Sequence, residues 1–164
     1  MSARSGIGFD SHRFEAGRRL VLGGVEVPWP KGLTGHSDAD ALAHAVTDAL
    51  LGAAGLGDIG AHFPDTDERW RDADSIELLR HACGLLAARG LAPLNLDAVV
   101  LCEEPRLAPF RDAMCERLAE AAGLGAEDVN VKFTTAEGMG FVGQGEGIAV
   151  MATASVVPIS SAGA

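Results

Sequence analysis

Apolar residues occur in short runs broken by glycine and proline, and the period of the runs changes along the chain. Residues 5–12 (SGIGFDSH) predict a short strand that ends in polar side chains. Residues 20–28 (LVLGGVEVP) place two apolar runs about Gly23-Gly24, the pattern of a hairpin with a two-residue turn. Gly32 to Ser37 reads as loop. From Asp38 or Asp40 to about Ala54 the chain is rich in Ala and Leu and then meets the glycines of GAAGLGDIG, which predicts a helix with a glycine stop.

The polar stretch 61–74 (AHFPDTDERWRDAD) contains proline and reads as loop. Asp74 then opens a second helix, with Glu77 at capping-box spacing. Ile76, Leu78, Leu79, Leu85 and Leu86 supply its apolar positions, and Gly90 ends it. Residues 96–102 predict a strand, 108–122 a third helix closed by Gly123, and 128–134 an alternating strand. A Gly-rich turn follows, then a final strand from Ile148 to Val157 and a frayed tail, 159–164. Strands and helices mixed in one small core predict a single α/β sandwich domain over 1–158, with helices on one face of a mixed sheet.

Composition narrows the function. The chain carries 13 Lys and Arg against 23 Asp and Glu, a net charge of −10 over 164 residues. Such a chain repels phosphodiester backbones and anionic lipid, so no nucleic-acid or membrane partner is expected. Six Phe, two Trp and no Tyr leave few platforms for stacking bases. A phosphorylated small molecule is compatible only if bound cations reverse the local field. Cys83, Cys102 and Cys115 form no CxxC pair, no run reaches the roughly 18 apolar residues of a membrane span, and the first residues carry no signal segment. A cytoplasmic location is expected.

Four segments could carry chemistry. Asp10 and His12 are two residues apart, so on a strand both side chains leave from one face. His44 interrupts a helix of Ala, Leu and Val. Two imidazoles and one carboxylate form the three-ligand set of a catalytic zinc with an open fourth position, and Asp40 and Asp48, one turn either side of His44, could orient its ring. A surface His12 and a hydrogen-bonded core His44 account for the same spacing. His36 and Ser37 precede the helix and could meet a phosphate at its N-terminus, or the segment is simple capping. Asp58, Ile59, Gly60 and the run Phe63 to Asp67 form a loop whose carboxylates suit sugar-like hydroxyls, or a solvated acidic loop. Thr134, Thr135 and Glu137 follow a strand end, where a lone carboxylate can share Mg²⁺ with phosphate oxygens. Cys102 lacks the setting of a nucleophile and reads as core.

Together GFDSHRF, LGGVEVP, the run KGLTGHSDADALAHAVTDALLGAAGLGDIGAHFPDTD and DVNVKFTTAEGMGFVGQGEGIA resemble the 2-C-methyl-D-erythritol 2,4-cyclodiphosphate synthases of non-mevalonate isoprenoid synthesis, from residue 6 to about 149. The resemblance implies a homotrimer with active sites between subunits and a cytidine-diphosphate-linked substrate cyclised with release of CMP. It implies Zn²⁺ on Asp10, His12 and His44, and Mg²⁺ or Mn²⁺ on Glu137. Asp10, His12, His36, Ser37, Asp58, Ile59, Gly60, Phe63, Pro64, Asp65, Thr66 and Asp67 match substrate positions. So do Cys102, Glu103, Glu104, Pro105, Arg106, Leu107, Ala108, Thr134, Thr135, Ala136, Glu137, Phe141 and Gln144. His36 and Thr135 match positions of transition-state stabilisation.

Two positions depart from the resemblance. Arg106 stands where the family often has Lys and keeps the cation. Gln144 stands where it often has Arg, beside a threefold axis at which three Glu146 carboxylates would then meet without that partner. A metal-dependent phosphohydrolase could use the same ligands, with water as the attacking group, and a non-catalytic trimeric binding module would need no open metal position.

Overall fold

In a computed structural model that describes residues 2–159, the first strand runs well past its expected end: β1 spans Arg4–Ala16. Its length comes from its partner, β7 (Gly147–Pro158), which pairs antiparallel with it from Arg4↔Val156 to Arg13↔Gly147. The tail expected to fray lies, beyond Ile159, outside the described residues.

Five strands form a mixed sheet in the order β4-β1-β7-β5-β6, with β5 at Leu91–Leu101 and β6 at Val129–Thr134. β5 and β6 are parallel and the other neighbours antiparallel. The edge strand β4 (Lys31–Leu33) corrects the loop expected from Gly32 onward; a three-residue strand carrying glycine has too little pattern to be seen in the sequence. The hairpin is present as β2 (Leu20–Leu22) and β3 (Val25–Val27). Its turn residues Gly23 and Gly24 both have positive φ, 58° and 70°.

Three long helices cover one sheet face: α1 (Ala41–Ala54), α3 (Ser75–Ala88) and α4 (Arg111–Ala122). Asp40, not Asp38, is the N-cap of α1, and its carboxylate accepts from Ala43 N–H at 2.9 Å. The loops expected at 61–74 and after residue 134 contain the single turns α2 (Ile59–His62), a 3-10 turn at 68–70, and α5 (Gly140–Gly143). The Glu77 half of the expected capping box is not made; that carboxylate pairs with Arg80, while Asp74 alone caps α3.

The contact of α1 with β1 positions the site. A Cβ on Gly8 would stand 1.9 Å from Ala45 O, and one on Gly6 2.1 Å from Ala49 O. Two glycines on the strand therefore let the helix backbone lie directly on it. The even-numbered residues of β1 face that helix, so Asp10 and His12 emerge toward His44.

Candidate active site

The three expected ligands converge. Asp10 Oδ2 lies 2.9 Å from His12 Nε2 and 3.1 Å from His44 Nδ1, and the two imidazole nitrogens are 3.4 Å apart. These spacings approach the edge of a coordination tetrahedron with metal–nitrogen bonds of 2.0–2.1 Å, roughly 3.3 Å. Among the described residues this is the group of His, Cys, Asp and Glu able to hold a metal ion. The donor set fits a divalent ion that accepts nitrogen and oxygen ligands.

Each ring is fixed from its far side. His12 Nδ1 lies 2.6 Å from Thr34 O, and a carbonyl only accepts, so Nδ1 carries a proton and Nε2 is the nitrogen left to face Asp10 or a metal. His44 Nε2 meets Ser75 Oγ at 2.8 Å and Ser37 Oγ at 3.2 Å, which turns Nδ1 toward Asp10. Asp40 and Asp48 do not orient His44. The buried Asp40 carboxylate accepts from Gly23 N–H and Gly24 N–H at 2.8 and 2.7 Å, and Asp48 accepts from Ile59 N–H at 2.7 Å. Burial and the charge of Asp38 push Asp40 up to about 6 against the pull of its three N–H donors. Ser75 and Thr34 are the partners that spacing along the chain could not reveal.

Burial works to raise the Asp10 carboxyl, but the hydrogen bonds from His12 and His44 prevail and hold it at about 2. Burial disfavours charge on His12, yet the contact with Asp10 raises it above its ordinary value. Cys102 is pushed up to about 12 by burial and by Glu103, and its thiol donates to Glu104 O, so it is no nucleophile.

A cleft of about 460 Å³ opens beside the triad, lined by His12, Gly35, His36, Ser37 and His44 on one side and by Ile59, Gly60, Phe63, Pro64 and Asp65 on the other. Trp70 and Leu78 complete its wall and were not singled out in the sequence. The Trp70 ring meets Phe63 edge-on with centroids 5.1 Å apart, and its Nε1 has no hydrogen-bond partner among the described residues. Asp58, Thr66 and Asp67 lie outside this lining: Asp58 caps α2 through Ala61 N–H, and Asp67 is forked by Arg69.

The second set of expected residues gathers elsewhere. Segments 102–108 and 134–137 leave the C-terminal ends of β5 and β6 side by side, joined by Cys102 N–H to Thr134 O at 3.0 Å. Thr135 Oγ1 donates to Glu137 Oε1 at 3.1 Å, and Glu137 has a positive φ of 52°. The register aligns Asp10 with Val150, Val100 and Phe133 in turn. Three strand spacings therefore separate the two sets within one chain, about 14 Å. Phe141 and Glu146 share a small cleft with Ser11, His12 and Arg13. Arg13 thus supplies a guanidinium to the region in which the sequence foresaw none, while Gln144 Nε2 is turned back onto Gly138 O at 3.1 Å.

The YgbB family pattern matches residues 3–157. The 2-C-methyl-D-erythritol 2,4-cyclodiphosphate synthase of Trichlorobacter lovleyi is 52% identical over 155 residues, covering 94% of this chain and 99% of that protein. The synthase of Rubrobacter xylanophilus is 59% identical over 152 residues, covering 91% and 92%. Among solved structures, the bifunctional IspDF of Campylobacter jejuni superimposes with a TM-score of 0.91 at 43% identity, over 94% of this chain but 42% of that longer one. A 2C-methyl-D-erythritol-2,4-cyclodiphosphate synthase in its CDP-bound form gives 0.86 at 42% identity, over 94% and 100%.

Proposed function

The chain belongs to the YgbB family, and from that membership and the triad we propose that it is a 2-C-methyl-D-erythritol 2,4-cyclodiphosphate synthase acting in non-mevalonate isoprenoid synthesis. The reaction joins an oxygen of the substrate's 2-phosphate to the β-phosphorus. The bond from that phosphorus to the α-phosphate oxygen breaks, and CMP leaves with the electron pair. The attacking group belongs to the substrate, so the protein's work is alignment and charge neutralisation.

The observation that carries the reading is the convergence of Asp10, His12 and His44 at the head of the cleft. In this reading those three residues hold Zn²⁺, and Glu137 holds Mg²⁺ or Mn²⁺ together with substrate phosphates. When bound, the two cations polarise phosphoryl oxygens and offset the repulsion between a −10 chain and a polyanion. His36 and Ser37 face the diphosphate, and Ile59, Gly60 and the 63–67 loop take the methylerythritol. Segment 102–108 takes the cytidine; that a relative of this fold binds CDP supports a cytidine nucleotide as ligand. His36 and Thr135 are assigned to the developing charge, the latter steadied by its bond to Glu137.

The same reading makes the protein a homotrimer with sites between subunits. Two features support it: the separation of about 14 Å between the two halves of the site, and an uncovered sheet face on which Ile7, Phe9 and Met151 are 66, 58 and 45% exposed. No helix among the described residues is long and apolar enough to cross a membrane, and three free thiols support a cytoplasmic setting.

Phosphorus NMR of the purified protein with its substrate and Mg²⁺ tests the proposal. A cyclic diphosphate with one equivalent of CMP supports it. Free phosphates, the mark of a phosphohydrolase, refute it.

A further inference from the structure

His44 reaches the metal-ligating triad with its back against a polar chain that the reaction itself does not use. Ser75 Oγ lies 2.8 Å from His44 Nε2. The same hydroxyl donates to Asp38 Oδ1 at 2.5 Å, and the Ser75 backbone N–H donates to Asp38 Oδ2 at 3.1 Å. With its proton committed to the carboxylate, the Ser75 oxygen is left to accept. His44 Nε2–H therefore donates to Ser75, and Nδ1 faces Asp10 and His12, where a metal ion would take the place of the proton that the Asp10 carboxylate otherwise accepts.

We propose that Asp38 and Ser75 are the positioning pair of this site, holding His44 in the one tautomer and ring orientation that can ligate a metal. The inference rests on the metal reading under Proposed function and concerns residues that touch neither substrate nor ion.

A purely structural explanation of the pair is weak. Helix α3 already has an N-cap, because Asp74 accepts from Ile76 N–H at 2.9 Å. Helix α1 is capped by Asp40. Asp38 also accepts from Asp40 N–H at 3.1 Å and from the first N–H of α3, but it is the N-cap of neither helix, and the hydroxyl of Ser75 is the one side chain among the described residues that donates to it. Ser75 is fully buried, so no water competes for its hydroxyl. The nearby Ser37 Oγ, at 3.2 Å from His44 Nε2, also bonds Ala39 N–H and is the weaker partner by distance.

The arrangement also ties the ligand to the wall of the cleft. Ser75 directly follows the 63–74 loop, and that loop is stitched to the 36–38 turn by Asp38 N–H to Ala73 O at 3.1 Å and Asp72 N–H to His36 O at 2.9 Å. A ring locked by Ser75 is thus locked to the segment that closes over the substrate side.

The test uses the full-length protein and zinc alone, so it does not depend on turnover. Ser75→Ala removes the acceptor while leaving the Asp74 cap in place, and Asp38→Asn keeps an oxygen for the Ser75 hydroxyl. Competition against a chromophoric chelator should show zinc bound 10–100-fold more weakly by Ser75→Ala, with Asp38→Asn falling between it and the parent. In metal-free Asp10→Ala, where no carboxylate competes for the Nδ1 proton, imidazole ¹⁵N spectra above pH 8 should report the Nε2–H tautomer for His44, and with Ser75→Ala added a mixture of both. Parent-like zinc affinity in Ser75→Ala, or an Nδ1–H tautomer in metal-free Asp10→Ala, overturns the inference. Zinc affinity that His44→Ala also leaves unchanged overturns the metal reading beneath it instead.

Discussion

The backbone N–H of Ala136 donates to the Glu103 carboxylate across 2.7 Å, bridging two segments 33 residues apart in sequence. With the bond from Cys102 N–H to Thr134 O, it makes one rigid unit of the two loops that leave parallel strands β5 and β6. Thr135 and Glu137 flank the bonded residue. Their orientation toward a phosphate is therefore set by a side chain on the neighbouring strand's loop.

Glu103→Ala should weaken CDP binding by about tenfold, the usual consequence of losing a hydrogen bond to a charged group. Glu103→Gln retains an acceptor oxygen and should stay within a few-fold of the parent. Titration calorimetry with CDP in the presence of Mg²⁺ measures both. An Ala variant that binds like the parent would show that the bridge positions nothing.

Glu137→Gln should abolish the response of turnover to Mg²⁺ while leaving one zinc per chain. Glu137 holds a positive φ of 52°, a costly conformation for a non-glycine residue, and such strain collects at sites with a task. The Gln variant preserves shape and backbone and removes only the charge. Metal analysis alongside a Mg²⁺ titration decides the matter, and an unchanged Mg²⁺ optimum would exclude Glu137 as the ligand.

The sequence displayed the site unevenly, for physical reasons. Asp10 and His12 were legible because strand period puts i and i+2 on one face, and the hairpin was legible because Gly23-Gly24 meets the demand for positive φ. Ser75, Asp38, Trp70 and Leu78 were hidden. Their roles depend on α3 lying beside α1, a tertiary fact that leaves no local pattern. Asp48 sat at a suggestive helical spacing from His44 but is drawn off by Ile59 N–H. The extension of β1 and β5 was hidden too, because pairing with β7 holds residues whose own pattern is polar or interrupted by proline.

The metal-free protein should show a stability maximum in mild acid. Hydrogen bonds from His12 and His44, overcoming burial, hold Asp10 at about 2, below its ordinary 3.8. Its contribution is therefore complete above pH 3.8 and is lost as pH falls toward 2. His12 is raised above 6.5 by Asp10 in spite of burial. Its contribution is complete below pH 6.5 and is lost as pH climbs through the raised value. Calorimetric melting of chelator-treated protein should thus give a lower Tm at pH 9 than at pH 6, with the difference reduced in Asp10→Asn. Zinc should reverse the trend, because it displaces the proton that His12 holds. A metal-free Tm that rises from pH 6 to pH 9 would contradict the pairing.

Two inactive variants should restore each other if the site is shared between subunits. Within one chain the triad and the 134–137 turn stand about 14 Å apart, three strands across the sheet. In the proposed trimer, each site takes its triad from one subunit and Glu137 from the next. His44→Ala spoils only the first half and Glu137→Gln only the second. Every mixed trimer then contains one junction at which an intact triad meets an intact Glu137. Random assembly from equal amounts gives about a quarter of the parental sites, since about three quarters of the trimers are mixed and each has one good site in three. Co-expression with distinct tags, followed by turnover assays on the doubly tagged fraction, provides the measurement; that fraction holds only mixed trimers and should reach about a third of parental activity. Activity no higher than that of the separate variants would place both halves of the site in the same chain and remove the reason for a shared active site.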